Sequence, residues 1–209
     1  MKIAILGAGS VGGTLGKGWA NKGHEVFFGV RHPDDEKTQN LLKDIGNNAR
    51  AGMNDEAIAF ADIIVLALPW QVVPKVLQAA DLNHKIVIDV TNPLTPDFSD
   101  LEIGFDTSGA EQVAQWAKGA KVFKSFNQTG WENMADPTYE GKPSLMLVCA
   151  DDESAKQTVL GLVEDIGFEA IDAGELTAAR LIEPFGMTWI HLAMKQGLGR
   201  NWALQIVRR

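Results

Sequence analysis

The sequence contains one cysteine, Cys149, so no internal disulfide can form, as expected for a reducing compartment. Cys149 closes the apolar run Leu145–Val148, which makes it a buried strand residue rather than a reactive thiol. No apolar run approaches the length of a membrane span. The apolar start, Ile3–Leu6, is interrupted at once by glycine and lacks the longer hydrophobic region and cleavage site of a signal peptide. A cytoplasmic protein is expected. Positive charge is also scarce: 19 Lys and Arg stand against 27 Asp and Glu, a formal net charge of −8. That argues against broad binding to nucleic acid or an anionic membrane, while leaving room for one basic pocket for a phosphate. The four histidines, His24, His32, His84 and His191, have no metal-ligand spacing. No acidic pair and no G-x-S-x-G segment occur, so neither a hydrolase nor a metal site is expected.

What is present is an alternation of short apolar runs and longer helical patterns. The runs are Lys2–Leu6, Glu25–Gly29, Ile63–Leu68, Ile86–Val90, Lys121–Phe126, Leu145–Cys149 and Glu169–Ile171, with a shorter one at Ala49–Gly52. Several are unbroken rather than alternating, the pattern of strands covered on both faces of a parallel sheet. Helices are predicted over Ser10–Lys22, Glu36–Ile45, Asn54–Ala59, Trp70–Ala80, Ser108–Ala117 and Glu153–Ile166. Past Gly174 the pattern becomes helical, Glu175–Gln196, interrupted by Pro184, which should bend it. The tail Gly197–Arg209 carries Trp202, Ala203, Ile206 and Val207, a large apolar load for a terminus.

One segment carries most of the functional content. Gly7-Ala8-Gly9-Ser10-Val11-Gly12 is a G-x-G-x-x-G placed directly after an apolar strand and directly before a helix. In that context Gly7 permits a tight turn, Gly9 admits a diphosphate close to backbone, and Gly12 lets helix pack on strand. The helix start, with Ser10 and Val11, offers free N–H groups and a partial positive charge. The expected fold is therefore a Rossmann-type doubly wound α/β domain with a mostly parallel sheet over residues 1–174. A small C-terminal helical cap over 175–209 completes it.

At the end of the second strand, where NAD-specific sites carry an acid for the ribose hydroxyls, this chain has Arg31, and no acid until Asp34. A guanidinium can pair with a 2′-phosphate and stack on adenine, so NADP(H) is expected over NAD(H). Lys37 and His32 are nearby candidates for the same phosphate. Three later strand ends offer residues for the nicotinamide side: Leu68-Pro69-Trp70, Thr91-Asn92-Pro93 and Ser125-Phe126-Asn127-Gln128-Thr129. Ordinary turn chemistry is the competing reading of each. No proton donor stands out, which suits hydride transfer by positioning alone, with no catalytic side chain, better than reduction of a ketone or imine.

These residues resemble the family of coenzyme F420-dependent NADP oxidoreductases over nearly the whole chain. The resemblance rests on Gly7–Gly12, Gly29–Arg31, Leu68-Pro69-Trp70, Asn92-Pro93-Leu94, the turn Cys149–Ser154, and Asp172–Leu176. It continues through Ala179–Pro184 to Gly197-Leu198-Gly199. It implies NADP phosphates on Gly9, Ser10, Val11 and Arg31, and nicotinamide flanked by Leu68-Pro69. It further implies a deazaflavin under the cap and a homodimer. The stretch Ser125–Trp131 is instead similar to the oxidoreductase domains of the STEAP membrane ferric reductases, which pass electrons from NADPH to an ordinary flavin. The acceptor is thus a deazaflavin or a flavin. Two other readings remain: a small imine or hydroxyacid reductase, and an NADPH-sensing module without catalysis.

Overall fold

Each unbroken apolar run forms a strand covered on both faces. In the computed structural model, which describes residues 1–209, the chain runs β1 (Lys2–Leu6), α1 (Ser10–Asn21), β2 (Glu25–Gly29), α2 (Glu36–Ile45), β3 (Ala49–Gly52), α3 (Asn54–Phe60) and β4 (Ile63–Leu66). A 3₁₀ turn (Trp70–Val72) and α4 (Val73–Gln78) lead to β5 (Ile86–Asp89), α5 (Gly109–Trp116) and β6 (Lys121–Lys124). Then come α6 (Trp131–Ala135), β7 (Thr138–Tyr139), β8 (Lys142–Pro143), β9 (Leu145–Ala150), α7 (Glu153–Ile166) and β10 (Glu169–Asp172). A second 3₁₀ turn (Leu176–Ala178) opens α8 (Ala179–Met194).

The main sheet has 8 strands in the order β10-β9-β6-β5-β4-β1-β2-β3. From β3 to β6 all neighbours are parallel, Ile3 of β1 lying between Val26 of β2 and Ile63 of β4. The sheet separates two cores of 22 and 21 buried residues, one centred on Trp19, Phe28 and Phe123, the other on Leu66, Trp70 and Leu77. Trp19 shows how α1 is held: its Nε1 donates to Leu162 O at 2.9 Å, and its ring meets Phe126 edge-on at 5.7 Å. Truncating such a side chain to alanine costs about 3–5 kcal/mol.

The structure departs from the sequence-based expectation in three places. The run at Leu145 forms β9, but antiparallel to β6, because the connection from β6 contains only α6 and a hairpin and never crosses the sheet. The hairpin β7–β8 turns through Glu140 and Gly141, with φ of 52° and 75°, the left-handed pair that suits the twist of a two-residue turn. Third, the helix predicted over Trp70–Ala80 splits, since Pro74 cannot donate to a preceding turn. Pro184, by contrast, sits inside a continuous α8. Arg180 in its first turn pairs bidentately with Glu111 of α5, at 2.6 and 3.0 Å. No helix is long and apolar enough to cross a membrane.

Candidate functional site

The strand order reverses at β1: β2 and β3 lie to one side, β4, β5 and β6 to the other. In open α/β sheets, ligands bind in the crevice this reversal leaves outside the carboxyl ends of the strands. Gly7 opens it. Its φ is +106°, and a Cβ there would stand 2.3 Å from Ala67 O at the end of β4. A Cβ on Gly12 would stand 2.1 Å from Gly7 O, so any larger residue pushes α1 away from β1. Gly9 differs: a Cβ would meet nothing within 4 Å, and the residue is exposed. Space is left beside it on the open side of the turn.

Helices α2, α5 and α7 are each capped by a side chain, Asp35, Ser108 and Asp152 respectively. Helix α1 starts at Gly9 with no side-chain cap and no acid in its first turn. Its first hydrogen bond to Gly9 O comes from Gly13, which leaves the N–H groups of Ser10, Val11 and Gly12 directed at the crevice. Recognition of a phosphate by such a helix start is favoured by both the three free donors and the helix dipole.

One strand away, Arg31 follows β2 and is exposed, as are His32 and Lys37. Asp35 is committed to α2: the Thr38 N–H donates to it at 2.7 Å and holds its carboxyl below the usual range. The strand end itself, Val30-Arg31, carries no acid; the nearest uncommitted one, Asp34, is exposed in the turn three residues on.

The remaining expected residues divide into those that face the crevice and those that turn inward. Leu68 is half-buried beside Gly7 and Pro69 is exposed. Trp70, expected as an apolar wall, points into the core against Trp116 at 5.3 Å. Pro93 is buried under α5, whose Gly109 it packs against. Asn127, 4% exposed, spends its amide on Asn92 Oδ1 (3.0 Å) and Ile182 O (3.4 Å), while Asn92 Nδ2 donates to Asn127 O at 2.9 Å. Asn92 is half-buried and keeps one donor and one acceptor direction free. His191 is exposed on α8 and bonded to Gln196.

Sequence reasoning missed a group of three charges directly beneath this rim. Lys124 Nζ lies 2.9 Å from Asp89 Oδ2 and 3.0 Å from Glu183 Oε1, all three side chains being fully buried. It also donates to Thr91 O at 2.6 Å. Burial alone would lower the lysine pKa; the carboxylates of Asp89 and Glu183 more than reverse this and hold it above the ordinary value. Glu183 also accepts the N–H groups of Gly109 (2.8 Å) and Ala110 (3.0 Å) that start α5. The available signal was a charged residue closing each of two apolar strand runs, Asp89 and Lys124, and a lone acid in the apolar face of α8.

A hollow of about 250 Å³ lies at the opposite end of the parallel strands, where β6 begins and β9 ends. Its lysine, Lys121, is already paired with Asp152 at 3.1 Å, so it offers no unpaired cation to a ligand.

Residues 2–93, from β1 through the Asn92-Pro93 rim, match the family described as NADP oxidoreductase, coenzyme F420-dependent. The F420-dependent NADP reductase of Methanocaldococcus jannaschii is 31% identical over 214 residues, covering 93% of each chain. Metalloreductase STEAP3 of Rattus norvegicus is 29% identical over 87% of this chain, which spans only 36% of that protein's length. A crystal structure of a candidate F420-dependent NADP-reductase from Arthrobacter sp. FB24 superposes over 100% of both chains with a TM-score of 0.89 at 30% identity. With the glycine turn, the uncapped helix and the doubly wound sheet all in place, the chain belongs to the family of F420-dependent NADP oxidoreductases.

Proposed function

We propose that this protein transfers a hydride between NADP(H) and a flat redox ring, either deazaflavin coenzyme F420 or an ordinary flavin. The observation that carries the reading is the pairing of an uncapped α1 N-terminus, opened by left-handed Gly7, with an exposed guanidinium, Arg31, one strand away. The free N–H groups of Ser10, Val11 and Gly12 hold the diphosphate, with Gly7 shaping the turn and Gly9 leaving room beside it, and Arg31 takes the 2′-phosphate. Leu68 and Pro69 provide an apolar surface for the nicotinamide, with the free amide directions of Asn92 at its edge. Trp70, Pro93 and Asn127 stiffen this wall from behind rather than contact the cofactor.

When bound, NADPH supplies the hydride itself, so the chain's task is to bind, orient and exclude water. On the nicotinamide side the rim residues Leu68, Pro69, Thr91, Asn92 and Asn127 are apolar or neutral, which suits that task. Lys124 is no proton donor to a substrate, because it is fully buried and its partners hold it charged. Residues 175–209 form the cap in this reading, over a cofactor domain of 1–174. The exposed apolar residues of α8 and the following turn, Leu181, Met194 and Leu198, are those open to the second subunit of a homodimer. The single cysteine, buried and unpaired, accords with a cytoplasmic setting.

The test is a mixing experiment: purified protein and NADPH with F420, FMN, FAD, and a panel of carbonyl and imine compounds, followed at the nicotinamide absorbance. Oxidation with F420 or a flavin is expected. Turnover only with imines or carbonyls would replace the acceptor class. Tight NADPH binding with no turnover by any acceptor would make the protein a sensor.

A further inference from the structure

Two carboxylates and one ammonium lie completely buried below the β5–β6 rim, and the phosphate-binding half of the crevice makes no use of them. Taking such ions out of water costs several kcal/mol each, and well-packed apolar residues of similar volume would stabilise the fold as well or better. The geometry gives what apolar packing does not, which is direction. An ammonium has three donors, and Lys124 directs them to Asp89, Glu183 and the Thr91 carbonyl. Asp89 Oδ1 accepts from both the N–H and the hydroxyl of Thr91, at 2.9 and 2.7 Å. Glu183 holds the start of α5 with both oxygens, so the positive end of that helix faces the net negative charge of the trio.

The four elements joined this way are β5, β6, α5 and α8. Just above the trio, α8 meets the rim twice more. Asn127 reaches Ile182 O, and a Cβ on Gly186 would lie 2.7 Å from Asn127 O, so helix backbone rests directly on the Asn92–Asn127 pair. Resting on the NADP(H) reading above, we infer that Lys124 is a positioning residue that locks α8 in register with the Thr91–Asn92 rim and thereby fixes the wall facing the nicotinamide side of the crevice. It touches neither ring. Its effect belongs to the seat of the second ring, not to the phosphates.

Two variants test this. Lys124→Met leaves two buried carboxylates without a cation and should lower the thermal midpoint. Lys124→Met/Glu183→Gln removes one positive and one negative charge, keeps the buried net charge unchanged, and should recover most of that loss. In ligand-free protein, amide exchange of α8 residues 182–190 is expected to quicken about tenfold or more in both variants, with α1 unchanged. NADPH affinity should stay within about twofold, because the α1 and Arg31 contacts are untouched. The emission of bound NADPH should shift as its nicotinamide loses a fixed wall, and transfer from bound NADPH to F420 or FMN should slow about tenfold or more. A purely structural role would lower only the stability of the single variant, leaving the double variant with wild-type α8 exchange, wild-type emission and wild-type transfer. That result overturns the inference. Failure of the wild-type protein to bind NADPH would instead overturn the reading on which it rests.

Discussion

Cys149 illustrates how burial rather than residue type decides chemistry. Its side chain is fully enclosed at the end of β9, with Sγ directed at Leu176 O, and burial pushes its pKa up to about 12. Thiol reactivity requires both thiolate and access, and here both are withheld. A disulfide reagent at pH 8 is expected to leave native protein unlabelled over hours and to label it fully once denaturant is added. Labelling of native protein within minutes would mean that β9 and the turn before α8 open far more readily than their packing implies. The same contrast separates Arg31 from Lys124: one cation is exposed at a strand end, free to receive an anion, while the other is enclosed and fully spent.

Among the elements, α1 does two jobs that two glycines keep apart. Gly12 serves packing, since its missing Cβ lets the helix lie against the Gly7 carbonyl; Gly9 does not, since a Cβ there would meet no protein atom within 4 Å, and in the proposed reading its openness serves the crevice. Gly9→Ala should therefore fold with a thermal midpoint near wild type and bind NADPH about tenfold or more weakly. Gly12→Ala should lose binding and also stability, by about 1–3 kcal/mol as an overpacked contact. Equal loss of stability in the two would show that the open side of the turn is not where the ligand goes. This division was legible in the sequence, because a glycine turn between an apolar strand and a helix announces itself by spacing. The strands were legible for a related reason: those covered on both faces read as unbroken apolar runs. The direction of β9 was not, as an apolar run carries no sign of which way its neighbour points. Helix α6 and the β7–β8 hairpin are too short to show a period at all. The Lys124 trio was hidden because its members lie on β5, β6 and α8 and meet only after folding. Trp70 and Asn127 were read as site residues for their type and strand-end position, but neighbouring partners draw both inward.

Taken whole, the molecule carries a formal net charge of −8, and its carboxylates govern its response to acid. Asp97 and Asp152 are held at about 2 by hydrogen bonds, from Thr95 and Ser99 in one case and mainly from Ser154 and Lys121 in the other. Glu111, beside Arg180, and Glu132, whose burial is outweighed by Arg200, lie below the usual glutamate range. Each folded value is depressed, so the stabilisation is present above the unfolded pKa of roughly 4 and is lost as pH falls through the folded one. The thermal midpoint should be level from neutrality to about pH 5 and decline steadily toward about pH 2, less steeply at high salt where exposed pairs are screened. A midpoint unchanged down to pH 2.5 would mean that these bonds are equally present in the unfolded chain.

The sheet brings the α1 amides and the Arg31 guanidinium to one edge from different strands, and the cofactor choice depends on both acting together. Calorimetric titration of the wild-type protein and Arg31→Glu with NADPH and NADH tests this directly. A charge-assisted contact is worth about 1.5–3 kcal/mol, so the wild type should prefer NADPH, and the variant should lose about 10- to 100-fold of that preference with NADH binding largely retained. Equal affinity of the wild type for the two nucleotides, or a preference unaltered by the substitution, would contradict it.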